Sequence, residues 1–297
     1  MGRELAAAFA TARDTFAEID EALKQHLSRL MFEGPESELM LTANAQPALM
    51  AASLAVLRIL IKDGGFEVRR HARFVAGHSL GEYSALAAAD AVSLPDAARL
   101  LKRRGLAMQR AVPVGEGAMA ALLGLELEEA RTVAEEAAQG QVCQCANDNG
   151  PGQVVVSGHK EAVERAIAIA AGHGARRAIL LPVSAPFHCA LMAPAAREME
   201  DALAQVEMRE PVVPLVANVT AAAVQDPDEI RRLLVAQVTG LVRWRECVLA
   251  MREAGVEEIV ELGAGRVLAG LAKRIDRSLA AVSLGAPAEI EAFLKRL

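Results

Sequence analysis

Five residues, Gly77-His78-Ser79-Leu80-Gly81, constrain this chain more than any other stretch, because of what flanks them. Arg73-Phe74-Val75-Ala76-Gly77 has the make-up of a short buried strand, and Leu80 to Ala89 is rich in helix formers, so the predicted strand-to-helix turn falls on His78-Ser79. A G-x-S-x-G element in that context is the nucleophile-elbow pattern, in which a sharp turn holds a serine hydroxyl clear of the strand end. Without Cβ atoms, Gly77 and Gly81 would both let strand and helix approach closely around a strained serine backbone. The helix starting near Leu80 aims its unpaired N–H groups at the same spot, which makes the Leu80 N–H a candidate donor to a developing oxyanion. The competing reading is a structural strand-to-helix turn with no chemistry.

A serine hydroxyl is a weak nucleophile until a base takes its proton. Of the six histidines, His78 lies within the turn itself, where its side chain would project away from that of Ser79. His26, His71, His159 and His173 fall on or beside helices or surface turns. His188 sits in the Pro-punctuated loop Pro182-Val183-Ser184-Ala185-Pro186-Phe187-His188-Cys189 and follows Ser79 in the Ser-then-His chain order of α/β-hydrolase-like enzymes, so it is the best base available.

The surrounding pattern is an α/β one. Residues 113–183 read as strand, helix, strand, strand, helix, strand: Ala118 to Leu125, Glu128 to Ala138, Val142 to Ala146, Gln153 to Ser157, Glu161 to Ala171 and Arg177 to Val183. That βαββαβ order matches a ferredoxin-like split unit and marks 113–183 as an inserted subdomain. The flanking pieces, 1–112 and 184–297, would form one discontinuous α/β domain. It holds helices over Glu4 to Leu30 and Gln46 to Ile61, with further strands at Val213 to Ala217, Val256 to Glu261 and Ala281 to Leu284. With 53% hydrophobic residues among 297, there is apolar material for such a core. The start of the chain lacks the pattern of a signal peptide, and no run of 18 uncharged apolar residues occurs, so a cytoplasmic setting is expected. Cys143, Cys145, Cys189 and Cys247 lack metal-type spacing and read as small buried hydrophobes. A net charge of −6 with only short basic clusters gives no nucleic-acid footprint, so any anionic ligand must be held by a local site.

Beyond the serine turn, a series of segments resembles the bacterial malonyl-CoA:acyl-carrier-protein transacylases, and does so over nearly the whole chain. They are Gly77 to Leu86; Arg104-Gly105 with Met108-Gln109; Val114 to Met119; Asn147 and Asn149 with Pro151 to Gly158; Pro186-Phe187-His188; and Gln237 ahead of Val242-Arg243-Trp244. The resemblance implies a hydrolase-like parallel-sheet domain carrying the ferredoxin-like insertion. It implies Ser79 as nucleophile, His188 as base, Arg104 as the clamp on a malonyl carboxylate and the Gln237 backbone carbonyl as the group that orients the imidazole. Arg104 would stand a malonyl length from the serine, and His78 and Asn149 would lie on the substrate-binding side. A guanidinium suits the clamp because it grips a carboxylate through two parallel charge-assisted hydrogen bonds. Phe187 fits the malonyl-selecting form of its loop, with only partial discrimination against methylmalonyl because one methyl is worth ~1–3 kcal/mol in such a pocket. Malonyl-CoA would be a substrate, and no cofactor or metal is called for. The protein partner would be acyl carrier protein, an acidic molecule expected to meet a basic surface near Ser79. A monomer is expected, with no nucleic-acid or membrane partner.

The sequence departs from the family at its start. Family members begin with a strand and a loop of the type Pro-Gly-Gln-Gly-Ser-Gln whose first glutamine completes the oxyanion hole, whereas Met1-Gly2-Arg3-Glu4-Leu5 aligns just after that loop. Two expectations follow: the true start lies upstream, which the intact motifs favour, or the chain is a shortened and impaired form. Two other functions share Ser79 and His188 or their surroundings: a serine thioesterase or esterase, and a non-catalytic module binding coenzyme A or carrier protein.

Overall fold

The computed structural model describes residues 1–296 and shows a mixed α/β protein. The Thr42–Gly64 helix runs through the main body and packs against the Ala10–Leu23 and Leu94–Ala111 helices. It is apolar and long enough to cross a membrane, yet 67% of its most apolar 18-residue window is buried among its neighbours, as a core helix requires. The Leu94–Ala111 helix starts at Ser93, whose hydroxyl caps the Asp96 N–H, with Pro95 in the first turn. It crosses the long helix at Gly105, where a Cβ would lie 2.5 Å from Ala43 Cα and 2.6 Å from the Thr42 carbonyl. That close crossing fixes the neighbouring residue, Arg104, against the interior.

Residues 117–180 form a four-stranded antiparallel sheet with two helices in the chain order strand, helix, strand, strand, helix, strand. Gly117–Leu123 is paired on one edge with Gln153–His159 and on the other with Arg177–Leu180, and Cys143–Gly150 completes the sheet beside Gln153–His159. Alternate residues of these strands (Ala118, Ala120, Leu122, Val154, Val156) point into an apolar cluster with Val133, Ala134, Val163 and Ala166 of the Leu127–Ala138 and Lys160–Ala170 helices. A second, larger cluster fills the helical body, and a third surrounds Trp244. The strand Cys143–Gly150 is stitched to the body at Val242, which donates to the Ala146 carbonyl at 2.9 Å and accepts from the Asp148 N–H at 2.9 Å.

Outside that unit the strands are shorter and less uniform than a continuous parallel sheet. Val75–Ala76 pairs in parallel with Leu215–Val216, which pairs antiparallel with Ala223–Val224. Glu258–Leu262 and Ala280–Leu284 form a separate parallel pair. The helix expected over Glu4 to Leu30 is three helices, Arg3–Ala8, Ala10–Leu23 and Leu27–Glu33. Phe9 is extended at the first break, and Lys24 turns left-handed at φ 50° at the second.

Candidate active site

The Val75–Ala76 strand runs into the Gly81–Ala88 helix through a turn so tight that a Cβ on Gly77 would sit 2.0 Å from the Gly81 carbonyl carbon and oxygen. Only Gly77 needs to lack a side chain for this approach; a Cβ on Gly81 would meet no atom within 4 Å, so the expected symmetry between the two glycines does not hold. Ser79 sits at the apex with φ 53°, in the left-handed region that costs a non-glycine residue of order 1–3 kcal/mol. Its hydroxyl is thereby turned to His188, and the Oγ to Nε2 distance is 2.7 Å.

His188 reaches this point from the loop that follows the four-stranded unit, itself at φ 58°. Its Nδ1 lies 2.8 Å from the Gln237 backbone carbonyl. A carbonyl can only accept, so Nδ1 carries the proton and the Nε2 lone pair faces Ser79. Burial, followed by the nearby Arg104 charge, lowers the imidazole from its ordinary 6.5 to about 3, against the raising effect of the Gln237 carbonyl. The ring is therefore a neutral acceptor at neutral pH.

Arg104 is 1% exposed. Its hydrogen bonds go to neutral oxygens: Nη1 donates to Gln46 Oε1 at 2.8 Å, and Nη2 donates to Gln237 Oε1 at 2.8 Å and to Ser79 Oγ at 3.1 Å. Its Nε is buried with no partner among the described residues. The guanidinium thus touches the serine instead of standing a malonyl length from it. A carboxylate entering here would exchange these amide and hydroxyl contacts for a charge pair, which favours the anion strongly in a dry site.

Behind these groups lies Glu82, also 1% exposed, whose carboxyl oxygens accept from the Asn218 backbone N–H and from Gln237 Nε2. Burial drives its carboxyl up from 4.5 to about 8, opposed by the Asn218 and Gln237 hydrogen bonds and the Arg104 charge. Gln237 is the hub: its carbonyl holds His188, its Oε1 holds Arg104, and its Nε2 also donates to the Ser79 carbonyl at 2.9 Å. The Leu80 N–H at the start of the helix has no acceptor among the described residues and stands beside the serine. His78 points away from Ser79, with Nε2 2.8 Å from Asn149 Oδ1 and its ring 5.7 Å from that of Trp244. This contact ties the serine turn to the Cys143–Gly150 strand. Phe187 is half-buried and packs both on the body's core and on the small cluster of Met119, Ala121, Ala146 and Val155.

The family model described as an acyl transferase domain matches residues 1–289. The chain belongs to this acyl transferase family. It is 46% identical over 292 residues to the malonyl CoA-acyl carrier protein transacylase of Escherichia coli K12, a match covering 98% of this chain and 93% of that protein. Among solved structures, an acyl-carrier-protein-S-malonyltransferase from Bartonella henselae superimposes with a TM-score of 0.96 at 53% identity, covering 100% of this chain and 94% of that one. A malonyl-transacylase in complex with a type II PKS acyl-carrier protein gives a TM-score of 0.96 at 44% identity, covering 100% and 95%.

For this acyl transferase, the structure brings Ser79, His188, Gln237 and Arg104 into one hydrogen-bonded cluster, with Leu80 adjoining and the His78–Asn149 pair at its side. Three members of the cluster were not singled out by reading the sequence: Gln46, Glu82 and Asn218. Glu82 follows the serine motif directly, and that adjacency was the available signal. Gln46 and Asn218 lie on distant segments and carried none.

Proposed function

We propose that this chain transfers the malonyl group of malonyl-CoA to the phosphopantetheine thiol of acyl carrier protein, by a ping-pong mechanism through a malonyl ester on Ser79. Ser79 Oγ attacks the thioester carbonyl while His188 Nε2 takes its proton. The Leu80 N–H donates to the tetrahedral oxyanion, and coenzyme A leaves as a thiol on receiving the proton from His188. The carrier's thiol then attacks the serine ester by the same steps in reverse. Gln237 orients His188 through its carbonyl, Arg104 binds the malonyl carboxylate, and His78, Asn149 and Phe187 line the substrate side. The names of the relatives supply the substrates for this reading, and a cytoplasmic setting goes with it. The architecture we assign is a hydrolase-like α/β domain, residues 1–112 and 184–297, interrupted by a ferredoxin-like subdomain at 113–183. The antiparallel order and connectivity of the four strands support the latter.

The observation that carries the proposal is a buried guanidinium, satisfied only by neutral oxygens, within 3.1 Å of a serine that is itself 2.7 Å from a neutral imidazole. The decisive measurement is intact mass after incubation with malonyl-CoA. A malonyl adduct that disappears in Ser79→Ala is expected; no adduct on the unaltered chain would leave only a binding role. Arg104→Ala separates a transacylase from a general thioesterase. It should lose about 2–5 kcal/mol of malonyl transfer, roughly 30- to 4,000-fold in kcat/KM, and gain activity on acetyl-CoA relative to malonyl-CoA, whereas in a general esterase the ratio between the two substrates would not move.

A further inference from the structure

The left-handed turn at Ser79 needs something to hold it, because an L-residue keeps such a conformation only where its surroundings over-determine it. The side chain that does so is Asn218. Its Oδ1 accepts from the Ser79 N–H at 2.7 Å, and its Nδ2 donates to the Gly77 carbonyl at 2.9 Å. An amide carries an acceptor and a donor on one planar group, so a single side chain can stand in for the peptide that would otherwise cross-link the two sides of the turn.

Asn218 is itself firmly held. It is fully buried, two residues beyond the Leu215–Val216 strand that pairs with the strand leading to Ser79. Its backbone N–H donates to Glu82, and its carbonyl accepts from the Arg243 N–H at 3.0 Å. Its Oδ1 also lies 3.3 Å from Gln237 Nε2, whose two N–H groups face the Ser79 carbonyl and Glu82 at shorter range, and Gln237 is the residue whose carbonyl holds the His188 ring. Nucleophile and base are thus referenced to the same buried side chain.

We propose that Asn218 is a positioning residue for the reaction: its amide bridges Gly77 and Ser79, fixes the direction in which the Ser79 hydroxyl meets His188, and occupies the Ser79 N–H so that the Leu80 N–H is the free donor at the turn. This rests on Ser79 being the nucleophile.

The test uses two readouts on the full chain. One is the rate at which a fluorophosphonate labels Ser79, and the other is kcat and KM for malonyl transfer. Asn218→Ala should slow labelling and lower kcat by roughly 10²-fold, the scale of loss for a small misplacement of a reacting group, with KM for malonyl-CoA within about threefold of the unaltered value. Asn218→Asp keeps the shape and the acceptor but can donate to the Gly77 carbonyl only when its carboxyl is protonated. Its labelling rate should approach that of the unaltered chain at low pH and fall as pH rises, a limb the unaltered chain lacks. If Asn218→Ala does not fold, Asn218→Asp decides. Labelling of Asn218→Asp at the unaltered rate with a superimposable pH profile, or a loss in Asn218→Ala confined to KM, overturns the proposal. The fluorophosphonate needs no malonyl group. A chain that labels at Ser79, is slowed by these substitutions, and yet takes no malonyl from malonyl-CoA would sink the malonyl reading and uphold the role of Asn218.

Discussion

The imidazole of His188 faces a backbone carbonyl through Nδ1, not a carboxylate, and this choice of partner sets its chemistry. A carboxylate would add a charge that favours the protonated ring; the Gln237 carbonyl orients the ring with a smaller raising effect, which burial and Arg104 outweigh. With its folded-state value near 3, the ring stays unprotonated throughout the range where an ordinary histidine titrates. Single-turnover acylation of Ser79 by malonyl-CoA, followed between about pH 4.5 and 8, should therefore show no loss of rate with a midpoint near the ordinary histidine value. An acid limb centred there would mean that His188 meets water in the working enzyme, contrary to the burial described above.

At the level of elements, the strand-to-helix turn depends on one glycine. Gly77→Ala drives a Cβ into the Gly81 backbone, which no rotamer change can relieve, so the Gly81–Ala88 helix must move off the Val75–Ala76 strand. The expected cost is about 1–3 kcal/mol or more, with Ser79 displaced from His188. Gly81→Ala, whose Cβ enters open space, should cost far less. Urea unfolding of the two variants side by side checks this, and equal destabilisation would show that the contact at Gly77 is not what sets the turn. The turn was legible in the sequence because its signals are local: a β-prone run, glycines and a helix start lie within about a dozen residues. The six elements of the four-stranded unit were legible for the same reason, since short apolar runs such as Ala118 to Leu123 and Val154 to Val156 give way to the 3.6-residue spacing of charged, Ala-rich helices. Of the two-residue strands of the main body, Val75–Ala76 and Leu215–Val216 fall inside expected apolar runs, whereas Ala223–Val224 carried no signal of its own. The breaks at Phe9 and Lys24 were hidden by apolar spacing that continues across them. Asn218 could not be found this way at all: it touches Ser79 across 139 positions of sequence, and only the pairing of Leu215–Val216 with Val75–Ala76 puts it there.

For the molecule as a whole, the buried site couples stability to pH through groups that pull in opposite directions, His188 on one side, with His78 lowered by burial in the same sense, and Glu82 on the other. His188 has its folded-state value lowered from 6.5 to about 3, so over that window the unfolded chain binds a proton that the folded chain refuses, and stability is lost on acidification. Glu82 has its value raised from 4.5 to about 8, so over that window the folded chain keeps a proton that the unfolded chain has released, and stability is lost as pH rises. Where the windows overlap, between 4.5 and 6.5, one proton on each side cancels and His188 and Glu82 together contribute no slope. Above 6.5 only Glu82 remains, and its contribution declines by up to about 1.4 kcal/mol per pH unit until its carboxyl ionises. Urea midpoints measured between pH 6.5 and 8 should therefore fall for the unaltered chain and stay nearly level for Glu82→Gln, which cannot ionise there. A variant that loses stability as steeply as the parent would place the titrating group elsewhere and leave Glu82 ionised in its contacts with Asn218 and Gln237.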